Sequence, residues 1–300
     1  MGKSVLVIGS TCVDVIIRVD HLPRTEENLH PRSQQFSIGG CAYNAANILG
    51  RGGADTVFVT PVGMRGVFGP YLLPTLRKQP WSHPVVIREA ENGCCYCLVE
   101  TGGERTFMSI HGVEYSFSPD WMVSFRERDF AYTYVCGLEV EEESGESLTA
   151  WLEQDGRGTL LYAPGPRGMR VPGERTQRIL RLRPILHLNR TEALQMSGQE
   201  DLLRAMHSLY EKTENLLIVT LGGDGAMVMD GPGSPLHVPG VPVQRVEDTI
   251  GAGDAHAGSV LLGLSRGMPP LEAVEFANRV AASVVTQRGA TLQDDRILKT

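Results

Sequence analysis

Near its start the chain carries a run, Val5, Leu6, Val7 and Ile8, that is apolar at every position and closes on Gly9. Unbroken apolarity over so few residues predicts a strand buried on both faces, as parallel sheets require. Residues 12–19, 34–38 and 57–62 read as further strands, with a polar, Pro-containing stretch at 21–32 between the first two. Residues 42–49 are alanine-rich and helix-compatible, and Gly50, Gly52 and Gly53 stop that helix. Segments 94–99 and 105–110 flank Thr101, Gly102, Gly103 and Glu104, which predicts a hairpin. Beyond residue 148 apolar strands at 160–163, 185–188 and 216–220 alternate with helical segments. That rhythm predicts βαβ units and a mostly parallel sheet with helices on both faces. The earlier strands and the hairpin break the rhythm and are expected to form a small β-rich lid. Its segments fall at roughly 12–38 and 92–111 of a single domain spanning 1–300.

Composition narrows the function classes. Apolar residues make up 42% of the chain and charged residues 21%, ordinary for a globular protein. A net charge of −7, with no Lys/Arg cluster, speaks against nucleic acid as a partner. A substrate bearing phosphate must then be met by local dipoles rather than by bulk charge. The six cysteines are scattered and give no disulfide framework. Cys94, Cys95 and Cys97 lie in an alternating, strand-like stretch and read as half-buried strand residues rather than a metal clamp. No apolar run approaches the roughly 20 residues of a membrane span. The first residues enter a strand without a leader-like charged or apolar region, so a cytoplasmic protein without a membrane partner is expected.

Two stretches carry chemistry. In the first, a polar segment runs into Gly251, Ala252 and Gly253, followed by Asp254 and a helix of small residues to about Arg266. Glycines let the backbone turn sharply, and amides at a helix N-terminus favour an anion. A carboxylate beside such an anion hole suits a base that takes a proton from a hydroxyl attacking a phosphoryl group. The alternative is a helix-capping aspartate. In the second stretch, Gly39 and Gly40 precede a helix bearing Asn44, whose amide offers donors and acceptors to a polyol. Gly2, Lys3 and Ser4 lack the preceding glycine of a Walker loop. Gly9 opens no dinucleotide-binding glycine pattern.

Together these stretches resemble the two signatures of the PfkB, or ribokinase-like, carbohydrate kinase family. One is Gly39, Gly40, Asn44 and Ala46; the other is the run Asp248, Thr249, Ile250, Gly251, Ala252, Gly253, Asp254 with Gly258. The resemblance extends to 9–14, Asn189 with Glu192, Thr220 with Gly222 and Gly225, and Arg288, Gly289 and Ala290, in family order over nearly the whole chain. It implies a three-layer α/β/α fold with a β lid, ATP with Mg²⁺, K⁺ as a further candidate, and a homodimer through the lids. By the same resemblance Asp254 is the catalytic base and Gly251, Ala252 and Gly253 form the anion hole. Asp14, Gly39, Gly40 and Asn44 contact a small sugar-like substrate. Asn189 and Glu192 organise Mg²⁺ indirectly, while Thr220, Gly222, Gly225 and Asn278 form the nucleotide wall. Asp248, Ile250, Val284, Gln287 and Gly289 match a monovalent-cation site.

The chain also departs from the family pattern. Arg65 stands where an acidic residue is common, and it reads as a solvated surface cation or a contact for an anionic substrate. Of a central Asp-x-Asn-x-Arg pattern only Arg167 remains, and it is expected to clamp the transferring phosphoryl group. Glu139 matches a lid-side substrate contact, although beside Glu141, Glu142 and Glu143 it also reads as part of a solvated helix start. Arg105 either reaches the substrate or pairs with a glutamate across the hairpin. The expected activity is ATP-dependent phosphorylation of a hydroxyl, taken to be primary, on a sugar-like acceptor. The alternatives are a nucleoside kinase of the same fold and a non-catalytic, sugar-binding regulatory relative.

Overall fold

The computed structural model describes residues 3–287 and 289–299, and Arg288 of the expected C-terminal motif lies outside them. The first half of the chain runs β1 (Val5–Ile8), β2 (Cys12–Arg18), β3 (Ser33–Gly39), α1 (Cys41–Arg51), β4 (Thr56–Arg65), α2 (Phe68–Arg77), β5 (Ser82–Glu91), β6 (Cys94–Val99) and β7 (Arg105–Ile110). It continues with β8 (Tyr132–Cys136), α3 (Gly137–Glu141), α4 (Gly145–Gln154), β9 (Thr159–Ala163), α5 (Gly173–Arg181) and β10 (Ile185–Asn189). The last part holds α6 (Arg190–Ser197), α7 (Leu202–Thr213), β11 (Leu217–Thr220), β12 (Gly225–Met229), β13 (Leu236–Pro239), α8 (Ala252–Ser265) and α9 (Pro270–Val285).

Nine of these strands form one sheet in the order β13-β12-β11-β10-β9-β8-β1-β4-β5. From β11 to β5 every pairing is parallel, and β12 and β13 close one edge antiparallel. Alternation along β1 feeds two cores. Val5 and Val7 share a cluster with Ile48 of α1, Leu261 of α8 and Val280 of α9. Leu6 and Ile8 meet Leu148 of α4, Ile179 of α5 and Leu209 of α7 on the other face. Burying each such side chain contributes about 1.5–3 kcal/mol, which is why the strand has no polar position to spare. The result is the expected three-layer α/β/α arrangement.

The second sheet is smaller, in the order β3-β2-β6-β7. Its outer pairs are antiparallel and its central pair, β2 with β6, is parallel. Val13 and Val15 of β2 are buried, and on the Val15 side Phe36 meets Tyr71 of α2 with ring centroids 6.0 Å apart. Asp14 therefore points from the opposite face, beside Ser37 and Cys95. Cys94 and Cys97 are buried and Cys95 half-buried, as expected of strand residues.

The early strands do not all join this smaller sheet. β1 and β4 belong to the large one, together with the unanticipated β5 and β8. β5 is an edge strand with Pro84 and mostly accessible side chains, so it carries no buried periodicity to read.

The crossing of α1 and α8 depends on one glycine. A Cβ on Gly258 of α8 would stand 2.8 Å from the Ala45 carbonyl oxygen and 2.9 Å from its Cα. The missing side chain lets α1 and α8 cross nearly backbone to backbone. Gly258→Ala forces them apart and is expected to cost about 1–3 kcal/mol by denaturant unfolding. An unfolding free energy equal to wild type would contradict this close crossing.

Candidate active site

The crossing brings the two signature stretches together. Asn44, one turn into α1, donates from Nδ2 to Asp254 Oδ2 at 2.9 Å. The Cys41 thiol neighbours the same carboxylate. Asp254 lies in the first turn of α8, behind Gly251 with φ +72. A Cβ on Gly251 would also sit 2.5 Å from that of Ala290, so the turn requires glycine twice over. The first-turn amides beyond it have no carbonyl within their own helix. Ala252 N reaches back to Thr249 O at 3.3 Å, while Gly253 faces open space. Burial raises the Asp254 pKa, and the bond from Asn44 and the neighbouring Cys41 thiol pull it partly back.

Around this carboxylate stand two more acids. Asp14 is pushed up to about 6, mainly by burial and further by the charges of Asp254 and Asp248. Cys12 Sγ lies 3.8 Å from its Oδ1. Gly39 lies so close that any side chain there would strike the Asp14 carboxylate. Gly40, with φ +107, caps α1. Glu139 belongs to α3, directly after β8 of the large sheet. It is 1% exposed, which overturns the solvated reading for this residue, whereas Glu143 of the same run is exposed. Its Oε1 accepts from Ser10 N at 2.8 Å, while its Oε2 is buried without a partner. Burial pushes its pKa up to about 7.

Next to the turn before α8 opens a largely apolar cleft of about 270 Å³. Thr220, Gly222, Gly225, Ala252, Gly253 and Asn278 all line it, joined by Val241, Val243 and Val246. The expected nucleotide wall and the expected anion hole thus share one cavity. Asn278 turns its polar atoms into the protein: Nδ2 donates to Pro239 O at 3.0 Å, and Oδ1 lies 3.1 Å from His256 Nε2. His256 Nδ1 in turn lies 2.8 Å from His187 Nε2. Both rings are buried, and burial lowers both pKa values, that of His256 to about 4. The sequence reading missed this neutral histidine pair, although His256 stands two residues beyond Asp254.

Asn189 and Glu192 cap α6 reciprocally. Asn189 Oδ1 accepts from Glu192 N, and Glu192 Oε2 accepts from Asn189 N, both at 2.9 Å. The Glu192 pKa is raised by burial and by the Asp254 charge. Arg167 lies away from these contacts, bonded from Nε to Glu141 Oε2 at 2.7 Å and from Nη2 to Oε1 at 2.5 Å. Arg65 is exposed and pairs with Glu89 on the neighbouring β5. Of the cation-site positions, Asp248, Ile250 and Gly289 come together, and Val284 and Gln287 share the turn that ends α9. Asp248 Oδ1 accepts from Ile250 N at 2.8 Å, its Oδ2 accepts from Gly289 N at 3.2 Å, and Val284 O accepts from Gln287 N at 3.2 Å. Arg105 pairs with Asp248 at 2.9 Å and not with a glutamate across the hairpin.

The raised Glu139 pKa has a definite consequence for stability. The folded state favours its protonated form, so its contribution is fully present below pH ~4.5 and is lost as pH rises through about 7. The histidine pair has the opposite sign but cancels in a comparison of variants that both retain it. Relative to wild type, Glu139→Gln should gain on the order of 2–3 kcal/mol between pH 5 and pH 8. Denaturant titrations of both proteins at the two pH values check this, and parallel curves would contradict it.

Comparison with known proteins agrees with the geometry. The pattern described as pfkB family carbohydrate kinase matches residues 2–296. YegV, an uncharacterized sugar kinase of Escherichia coli, is 36% identical over 291 residues, which cover 96% of this chain and 90% of the relative. Ribokinase of Staphylococcus aureus is 27% identical and covers 97% of this chain and 96% of its own length. Among solved structures, adenosine kinase from Sinorhizobium meliloti superposes with a TM-score of 0.84 at 22% identity, over 100% of this chain and 98% of its own. The chain belongs to the pfkB family of carbohydrate kinases, phosphotransferases with an alcohol acceptor.

Proposed function

We propose that this family member transfers the γ-phosphoryl group of ATP to a hydroxyl, taken to be primary, of a small sugar-like acceptor, with Asp254 as the base. One observation carries the reading. The Asp254 carboxylate is held by Asn44 at 2.9 Å in the first turn of α8, at the edge of an apolar cleft.

In this reading the adenine lies in the cleft beside Thr220, Gly222, Gly225 and Asn278, and the phosphates lie over the turn 251–253. The acceptor occupies the space among Asp14, Gly39, Gly40, Asn44 and Glu139. Asn44 Oδ1 and Glu139 Oε2 are buried oxygens without a partner, which suits them to accept from its hydroxyls. The reacting hydroxyl gives its proton to Asp254 as its oxygen bonds to the γ-phosphorus, and the bond to the ADP oxygen breaks. Charge on the equatorial oxygens is met by the amides of Gly251, Ala252 and Gly253 and by the helix dipole. The raised pKa makes Asp254 a better proton acceptor than an exposed aspartate.

Glu192, with Asn189, would hold Mg²⁺ through water. Its carboxylate senses the Asp254 charge, and a hard cation that keeps its waters tolerates an outer ligand already committed to a helix cap. When bound, Mg²⁺ supplies charge neutralisation at the β- and γ-phosphates. Arg167 would have to leave Glu141 to clamp the phosphoryl group. The smaller sheet acts as the lid and excludes water when closed. A cytoplasmic location belongs to the same proposal and fits the need for ATP. Pairing through the lids rests on Phe36, Met108 and Ile110, which are 48%, 54% and 59% exposed. Sedimentation equilibrium should show a dimer, and a monomer at micromolar concentration would remove that part.

Coupled ADP release with Mg·ATP across sugars, sugar acids and nucleosides tests the activity. Asp254→Asn should lower kcat about 10²–10⁴-fold while calorimetry still shows wild-type ADP binding. Undiminished turnover would take the base role from Asp254.

A further inference from the structure

Arg105, the first residue of β7, reaches out of the smaller sheet. Its Nη1 lies 2.9 Å from Asp248 Oδ1 and 3.4 Å from Thr249 Oγ1. Among the described residues this is the ion pair that joins the smaller sheet to the loop before α8. Both groups are largely withdrawn from water, with side chains 20% and 10% exposed.

Asp248 is the hub of that loop. One carboxylate oxygen accepts the Ile250 amide and the other the Gly289 amide, so a single side chain ties the turn that leads into Gly251 to the segment beyond α9. The guanidinium neutralises this carboxylate at contact distance. A monovalent cation on the same carboxylate would face the Arg105 charge in a poorly solvated setting, where like charges repel strongly. The positions that resemble a cation site therefore do not fit a second cation while Arg105 is in place.

We propose that Arg105 is the resident cation of the anion-binding loop. It is a positioning residue that acts through Asp248: with the lid down, the guanidinium holds the carboxylate, and the carboxylate holds the turn that aims the amides of 251–253. No monovalent metal is required at this loop, and acceptor-side lid and phosphate-side turn move as one. The inference rests on reading 251–254 as the γ-phosphate site.

The test compares wild type, Arg105→Ala and Arg105→Lys in KCl and in tetramethylammonium chloride at equal ionic strength. One readout needs no acceptor: the thermal midpoint and the calorimetric affinity for Mg·ADP. The other is kcat and KM once an acceptor is known. Wild type should behave alike in both salts. Arg105→Ala should lose at least tenfold in kcat with a smaller change in the acceptor KM. K⁺ or free guanidinium should restore both that loss and its ADP affinity, and Arg105→Lys should keep part of the activity. Specific activation or stabilisation of wild type by K⁺ would overturn the proposal. So would a loss in Arg105→Ala that neither cation restores, or no loss at all. If Arg105→Ala does not fold, the wild-type comparison and Arg105→Lys decide. Should the binding pattern hold while no acceptor is ever phosphorylated, the kinase reading fails and the assignment of Arg105 stands.

Discussion

The hydrogen bond from Asn44 to Asp254 joins two segments that lie far apart in sequence, and the rest of the site depends on it. It exists because α1 and α8 cross almost backbone to backbone where Gly258 lacks a side chain. In the proposed reading the acceptor side and the phosphate side diverge from that crossing. α1 carries Gly40 and Asn44 toward the smaller sheet and Asp14, whereas α8 begins at the turn that faces the cleft. The large parallel sheet beneath, buried on both faces, is what holds the two helices in register.

Electrostatics around this bond is dominated by burial. Asp14, Glu139 and Asp254 are drawn from three elements into one poorly solvated space, and all three hold their protons more tightly than exposed acids do. Such crowding is costly for a fold and useful at a site that must take up a proton. Opposing it are aimed dipoles: the Ser10 amide on Glu139, the Asn44 amide on Asp254, and the Ile250 and Gly289 amides on Asp248. The protein thus meets its acids with oriented N–H groups and one guanidinium, in keeping with a chain whose net charge is −7.

What was legible in the sequence is what local backbone chemistry enforces. The turn at Gly251, the tight approach at Gly39 and the continuous apolarity of β1 each leave a mark in consecutive residues. The readings of 251 as a turn and of β1 as a buried strand hold in the structure. Contacts that depend on distant packing left no such mark. Glu139 sits in an acidic run, and only its place beneath Gly9 explains why it is buried while Glu143 is exposed. Arg105 finds its partner in Asp248, far along the chain, so hairpin logic could not name it. His256 hides within a helix of small residues and gains its role from His187 on β10. β5 and β8 escaped notice because edge exposure and alternating polarity hide a strand within a parallel sheet.

The central claim is that Asp254, tuned by Asn44, is the group whose ionisation drives turnover. The most direct measurement is the pH dependence of kcat for wild type and Asn44→Ala with the same saturating acceptor. Asn44 stabilises the ionised carboxylate, so its removal should move the acid limb of the profile to higher pH. An acid limb at the same pH in both proteins would contradict the account, because the titrating group would then not be the carboxylate that Asn44 holds.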